Sequence, residues 1–186
     1  MIVFSKIVCA KGVTAIVTLT NNQIVVGGGD GTVTLLYIDE PKCEILISIN
    51  LYGAIYSLSP SFDGLQLLAA TDKGFIYRVR AADLTNILLN ENHTGGIISM
   101  FSLNDPYYRF GTTSFDGTIR LWNLNDYSVY CRIYLHPELI ANCLVLTDDL
   151  LLSGWNDGKI RTFRVDDGSC TYNINIYINK SVMECR

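Results

Sequence analysis

Two histidines stand at similar intervals before Asp-Gly turns: 23 residues separate His93 from Asp116, and 21 separate His136 from Asp157. A histidine near a carboxylate and a hydroxyl can serve acid–base or nucleophilic chemistry, and it can equally belong to a buried hydrogen-bond network. No G-x-S-x-G nucleophile elbow accompanies either histidine. The glycine-rich stretch GGGDGT, 27–32, places Thr32 where a dinucleotide fingerprint needs its third glycine, and strand-forming residues follow it where a phosphate cradle needs a helix. It reads as a hairpin. Six cysteines (Cys9, Cys43, Cys131, Cys143, Cys170 and Cys185) contain no C-x-x-C pair and, with two histidines, give no zinc spacing. They are expected to be reduced thiols. The carboxylates Asp126, Asp148, Asp149, Asp166 and Asp167 follow no calcium-loop pattern and read as a solvated rim. These residues define no catalytic, cofactor or metal site, and a structural role is expected for both histidines.

The elements that must position these residues repeat. Gly31, Gly74, Gly117 and Gly158 close similar turns in GGGDGTVTLL (27–36), AATDKGFIYRV (69–79), GTTSFDGTIRLW (111–122) and LSGWNDGKIRTF (152–163), at steps of 43, 43 and 41 residues. Each unit has an alternating strand, a polar turn, a second strand ending in small residues, a hairpin, a third strand, a loop and a last strand. The first turns are TNN (20–22), SPSFDG (59–64), NDP (104–106) and TDD (147–149), rich in residues that tolerate or preset turn backbone. All four prolines (Pro41, Pro60, Pro106 and Pro137) are expected at joints and none inside a strand. Small residues such as Gly27, Ala69, Gly111 and Gly154 near the ends of second strands would let neighbouring backbones approach. The fold class is all-β, with four four-stranded units at about 12–49, 54–91, 96–135 and 140–178 and an extra outer strand at about 3–10.

The 186 residues are 49% hydrophobic and 17% charged, as in a globular domain, and carry a formal net charge of −4. Basic residues are scattered singly, so no cationic stripe is present to neutralise phosphates and nucleic acid is not an expected partner. No run approaches the roughly 18 apolar residues of a membrane helix, and Lys6 interrupts the opening MIVFSKIVCAKG where a signal peptide needs apolar residues. A soluble, non-secreted protein without a membrane partner is expected. The sequons at Asn92 and Asn179 then read as chance matches.

A radial stack of such units is a β-propeller, and the chain resembles the WD-repeat family. Unit three carries the likeness best: His93, Thr112, Asp116 and Trp122 are similar to that family's His, Ser/Thr, Asp and Trp hydrogen-bond network. Unit four keeps Ser153 and Asp157 but has Phe163 at the Trp position, with His136 expected at the joint equivalent to His93. Unit one has Asp30 with Val26 and Leu36, and unit two has Lys73 with Ala69 and Val79. Four blades are fewer than such propellers usually need to close, so an incomplete ring is expected, with further blades from the same gene product or a companion chain.

Within the family, SGWNDGKIRTF (153–163), VDDGSCTYNIN (165–175) and the opening GGGDG are similar to ciliary and flagellar members that lie inside axonemal doublet microtubules. That resemblance implies a non-catalytic scaffold, a microtubule inner protein on the luminal wall near the inner junction. It also implies tubulin and neighbours such as enkurin as partners, and an axonemal location. The alternative is a generic cytosolic WD-repeat adaptor that captures a peptide or protein. Candidate contacts for either role are Trp155, Asn156, Phe115, Tyr107 and Tyr108, because aromatic and Asn side chains in turns suit protein interfaces. For Trp155 and Phe115 the competing reading is a ring covering an adjacent turn, and for the two tyrosines it is turn packing.

Overall fold

A computed structural model describes residues 8–19, 22–39, 42–61, 63–102 and 109–175. β-Branched and aromatic residues alternating with polar ones pair into sixteen strands, and no helix occurs among the described residues. In chain order they are β1 (Val13–Thr18), β2 (Gln23–Gly28), β3 (Thr32–Asp39), β4 (Lys42–Asn50), β5 (Ile55–Pro60), β6 (Gln66–Thr71), β7 (Ile76–Arg80) and β8 (Asn86–Leu88). They continue as β9 (Ile97–Ser102), β10 (Arg109–Ser114), β11 (Thr118–Asn123), β12 (Val129–Tyr134), β13 (Ala141–Leu146), β14 (Leu150–Trp155), β15 (Lys159–Arg164) and β16 (Cys170–Asn175). Each consecutive set of four forms one antiparallel meander of nearest neighbours. The chain divides into two units, 1–89 and 90–186, each holding two sheets.

In the first unit the core lies between the two sheets: Val25, Val33 and Leu35 meet Ile55, Leu67, Ala69 and Val79. In the second, Ile119 and Leu121 meet Leu144, Leu146, Leu151, Trp155 and Phe163. Burying such side chains stabilises each by roughly 1.5–3 kcal/mol, which fixes strand register, because a one-residue slip would turn them to solvent. The small residues late in the second strands serve this packing. A Cβ at Gly27 would meet Ile55, and one at Gly111 would meet Leu144 and Leu146. Side chains of the next sheet's first strand, rather than its backbone, fill the space.

The first strand of every sheet is bulged against the second, between Val13 and Ala15, Ile55 and Ser57, Ile97 and Ser99, and Ala141 and Cys143. One extra residue bends the strand toward the hairpin end. At that end all four turn glycines adopt positive φ and donate at 3.1 Å to the carbonyl three residues earlier. This is the three-residue hairpin loop closed by a left-handed glycine.

Four expectations need correction. Pro60 is the last residue of β5, paired with Leu67; β5 ends its sheet's strand order, so the missing N–H removes no second ladder. Residues 8–10 form no strand. His136 is exposed and does not stand where His93 stands in the preceding sheet. Cys143 is disulfide-bonded, so the cysteines are not all reduced thiols. Sequence spacing cannot show a pairing that depends on tertiary approach. The expected strand residues 3–7 and the turn residues Thr20, Asn21 and 104–106 lie outside the described residues, as do Pro41, Tyr107, Tyr108, Asn179 and Cys185.

Candidate functional site

The hairpin corner of the third sheet gathers its polar residues from three places. His93 comes from the loop before β9, Thr112 and Trp122 from paired strands β10 and β11, and Asp116 from the turn between them. Trp122 Nε1 donates to Thr112 Oγ1 at 2.9 Å, Thr112 Oγ1 lies 2.7 Å from His93 Nε2, and His93 Nδ1 lies 2.8 Å from Asp116 Oδ2. An indole N–H can only donate, so Thr112 Oγ1 accepts from Trp122, and its own proton is left to point at Nε2 of a neutral ring. The remaining ring proton then sits on Nδ1 and points at Asp116. In this arrangement the imidazole is neutral, the form that its burial favours.

Electrostatics agrees with a neutral ring. The His93 side chain is 0% exposed, and burial lowers its pKa despite the pull of Asp116. Burial would raise the Asp116 pKa, yet hydrogen bonds from His93 and from Thr118 outweigh it and hold the carboxyl well below the usual carboxylate range. Asp116 also accepts from Thr94 N at 3.2 Å, Thr118 N at 2.9 Å and Arg120 Nη2 at 3.4 Å. One carboxylate thus ties the preceding loop, the turn and β11. Gly95 permits this closure, because a Cβ there would stand 2.7 Å from Asp116 N.

The fourth sheet builds its corner differently. Arg161, at the position of Arg120, grips Asp157 with Nη1 at 3.0 Å from Oδ1 and Nη2 at 2.7 Å from Oδ2. These hydrogen bonds are the main reason that the Asp157 pKa is lowered. His136 is exposed and takes no part, its Nδ1 accepting weakly from Glu138 N at 3.4 Å. A bidentate guanidinium already satisfies the carboxylate, so no imidazole is required. Trp155 replaces the missing Trp from another strand: its Nε1 donates to Ser153 Oγ at 2.8 Å, its ring lies 6.3 Å from Phe163, and Arg161 stacks 5.0 Å above it.

Trp155 is the last residue of β14 and is 0% exposed, which corrects its reading as a face contact. Asn156 is exposed, but its side chain is committed: Nδ2 donates to Glu138 O at 2.8 Å and Oδ1 accepts from Ile140 N at 3.1 Å. Phe115 remains open to solvent, 58% exposed.

Sequence reasoning missed the residues that tie each corner to the loop before it. Asp30 Oδ2 accepts from Ala10 N and Asp116 Oδ2 from Thr94 N, both from the second turn position. In the other two sheets the first turn position does this, with Asp72 Oδ1 accepting from Ala54 N and Asn156 Oδ1 from Ile140 N. The signal was present in the alternation GD, DK, FD, ND at positions 29–30, 72–73, 115–116 and 156–157. Thr32, through its hydroxyl and then its N–H, lowers the Asp30 pKa to about 2. Two loop aspartates read as rim have a comparable local role: Asp126 and Asp167 accept from the backbone of Ser128 and Ser169. No group of three metal-ligating side chains occurs among the described residues.

The WD domain, G-beta repeat model matches residues 85–123, from β8 to the end of β11. The structure of U3-55K superposes on 89% of this chain with a TM-score of 0.74 at 15% identity, and the match covers 52% of that chain. Residues 85–123 match a WD repeat, and the chain has the β-propeller fold of this structural neighbour. It is similar to cilia- and flagella-associated protein 52: 34% identical to that of Chlamydomonas reinhardtii over 92% of this chain and 28% of the relative. The human protein of the same name is 30% identical over 88% of this chain and 26% of its own length. Human WD repeat-containing protein 90 is 23% identical over 76% of this chain and 8% of its own. The chain therefore spans about a quarter of the length of the first two relatives.

Proposed function

We propose that this chain is a non-catalytic structural protein of cilia and flagella, bound as a microtubule inner protein to the luminal wall of axonemal doublets near the inner junction. One observation carries the reading: similarity to cilia- and flagella-associated protein 52 extends over 92% of the chain and so through all four sheets. The chemistry of the corners supports a scaffold. His93, Asp116, Thr112, Asp157 and Arg161 bind one another and hold loops. Tubulin and neighbours such as enkurin are the proposed partners, and further blades from the same gene product or a companion chain complete the ring. Rigid sheets displaying short loops suit long-lived contacts whose modest individual strength is multiplied along a lattice.

The test is an immunoblot of purified axonemal doublets before and after high-salt extraction. Retention of the band with salt-washed doublets is the expected outcome. Release with the soluble proteins, or absence from axonemes, would transfer the reading to a cytosolic WD-repeat adaptor, for which exposed Phe115 is the available contact.

A further inference from the structure

We infer that the edge of the fourth sheet is a self-association site, where β16 pairs antiparallel with β16 of a second copy of this chain about a two-fold axis at Asn173. β16 bonds to β15 along one side and ends its sheet's strand order, so no described strand uses the backbone groups of its outer side. Such an edge is a template for another strand unless something blunts it. At the opposite ends of the sheets the first strands crowd one another instead. The Thr14 hydroxyl of β1 donates to Ile55 O of β5, and Phe101 of β9 packs into the cluster that holds Ala141 and Leu144 of β13.

The other three last strands carry protection that β16 lacks. β4 holds Lys42 and Glu44, β8 is three residues long, and Arg132 of β12 meets Glu91 at 2.8 Å. β16 has no charge, proline or glycine, and the run 170–179 stays uncharged as far as Lys180. Its one bulge falls at Thr171, beyond which 172–175 pair regularly with β15. A second copy is the occupant that this strand fits. With Asn173 opposite its own copy, each Tyr172 lies opposite an Ile174, an aromatic–β-branched pair made twice on one face. Tyr172 is 66% exposed and Ile174 52%, so both are available. On the other face the two Asn173 amides, each donor and acceptor, can bond to one another. Pairing at the edge leaves both sheet faces open to further blades.

The test is sedimentation velocity of the full chain over a dilution series. A reversible dimer is expected. Tyr172→Lys combined with Ile174→Lys sets lysine opposite lysine across the axis and is expected to sediment as a monomer at every concentration. Both side chains are exposed, so the fold should survive the change. Should that variant melt early, a register test decides. In a Cys170→Ser background, which removes the exposed free thiol of this strand, Asn173→Cys faces its own copy at about 4.5–5.5 Å between Cα atoms. That lies within the range a disulfide spans, so cross-linking under diamide is expected. Asn175→Cys would stand about 14 Å from its copy and should not cross-link. A native chain that stays monomeric, a dimer that survives the two lysines, or a dimer in which Asn173→Cys cross-links no better than Asn175→Cys would each overturn the pairing. The outcome is separate from doublet retention, so it stands or falls independently of the ciliary reading.

Discussion

At the third corner a neutral imidazole links Asp116 to Thr112, whereas at the fourth a guanidinium reaches Asp157 directly and the indole arrives from β14 rather than β15. Both solutions keep a turn carboxylate charged and occupied, and both fill the space beside the second strand with an indole whose N–H is satisfied by a hydroxyl. They differ in reach. The carboxylate of Asp116 serves the loop, the turn and β11 together, and its side chain is 7% exposed. Asp157 serves its turn and Arg161 with a side chain 26% exposed, and Asn156 holds the loop instead. The burden at one corner rests on a single buried group, and at the other it is divided.

Removing each carboxylate should expose this difference most strongly. Asp116→Ala leaves His93 and Arg120 buried without their acceptor and is expected to cost about 3–5 kcal/mol, the usual penalty for breaking a buried pair. Asp157→Ala should cost less, because it strands one buried partner, Arg161, rather than two, and the space it vacates is open to water. Urea unfolding of the two variants checks the order, and equal losses would break the comparison. Next in size, Thr112→Val strands both Trp122 Nε1 and His93 Nε2, at about 1–3 kcal/mol for each unsatisfied buried group. Ser153→Ala strands Trp155 Nε1 and removes a 3.2 Å donation to Arg161 O, leaving one side-chain donor without its acceptor rather than two, and should fall near the lower end of that range when its melting temperature is compared.

A third pair of positions concerns the loops after β11 and β15. Tyr127 and Gly168 occupy equivalent places with φ of 60° and 70°. A Cβ at Gly168 would stand 2.7 Å from Cys131 Sγ. Gly168→Ala is expected to lose about 1–2 kcal/mol through left-handed strain, with the Cys131 clash adding to it, readable in the same unfolding curves.

The smallest effect is a pH dependence that sharpens the tautomer assignment. The folded pKa of His93 is lowered, so the unfolded chain binds more protons at this site. Its stabilising contribution is complete above the unfolded value of about 6.5 and is lost as pH falls through the folded value. Asp116, also lowered, adds a loss that begins only below its ordinary 3.8. Unfolding midpoints measured between pH 7.5 and 5 should fall for the native chain and flatten in His93→Gln. A native midpoint that rises toward acid would mean a charged imidazole and would sink the neutral relay.

Much of this was legible because turns and strand alternation are local. The glycines at 31, 74, 117 and 158 announced four hairpins, since only glycine enters the left-handed region without steric cost. The residues of the third corner were legible too, because they match a motif at fixed offsets. The fourth corner was not. Matching Phe163 to Trp122 by offset concealed that Trp155, eight positions earlier and paired strands away, could place an indole beside the same hydroxyl. Matching His136 to His93 by a similar offset failed for the complementary reason, that Arg161 already satisfied Asp157.

By itself the amino-acid sequence determined the strands, their turns and the four-sheet repeat, because these depend on backbone preferences and on side-chain alternation a few residues long. Only the tertiary structure decided which donor meets each buried carboxylate and which tryptophan is covered. It also decided that Cys143 is bonded. Those outcomes depend on distances between groups far apart in the chain, which become fixed only when the sheets pack.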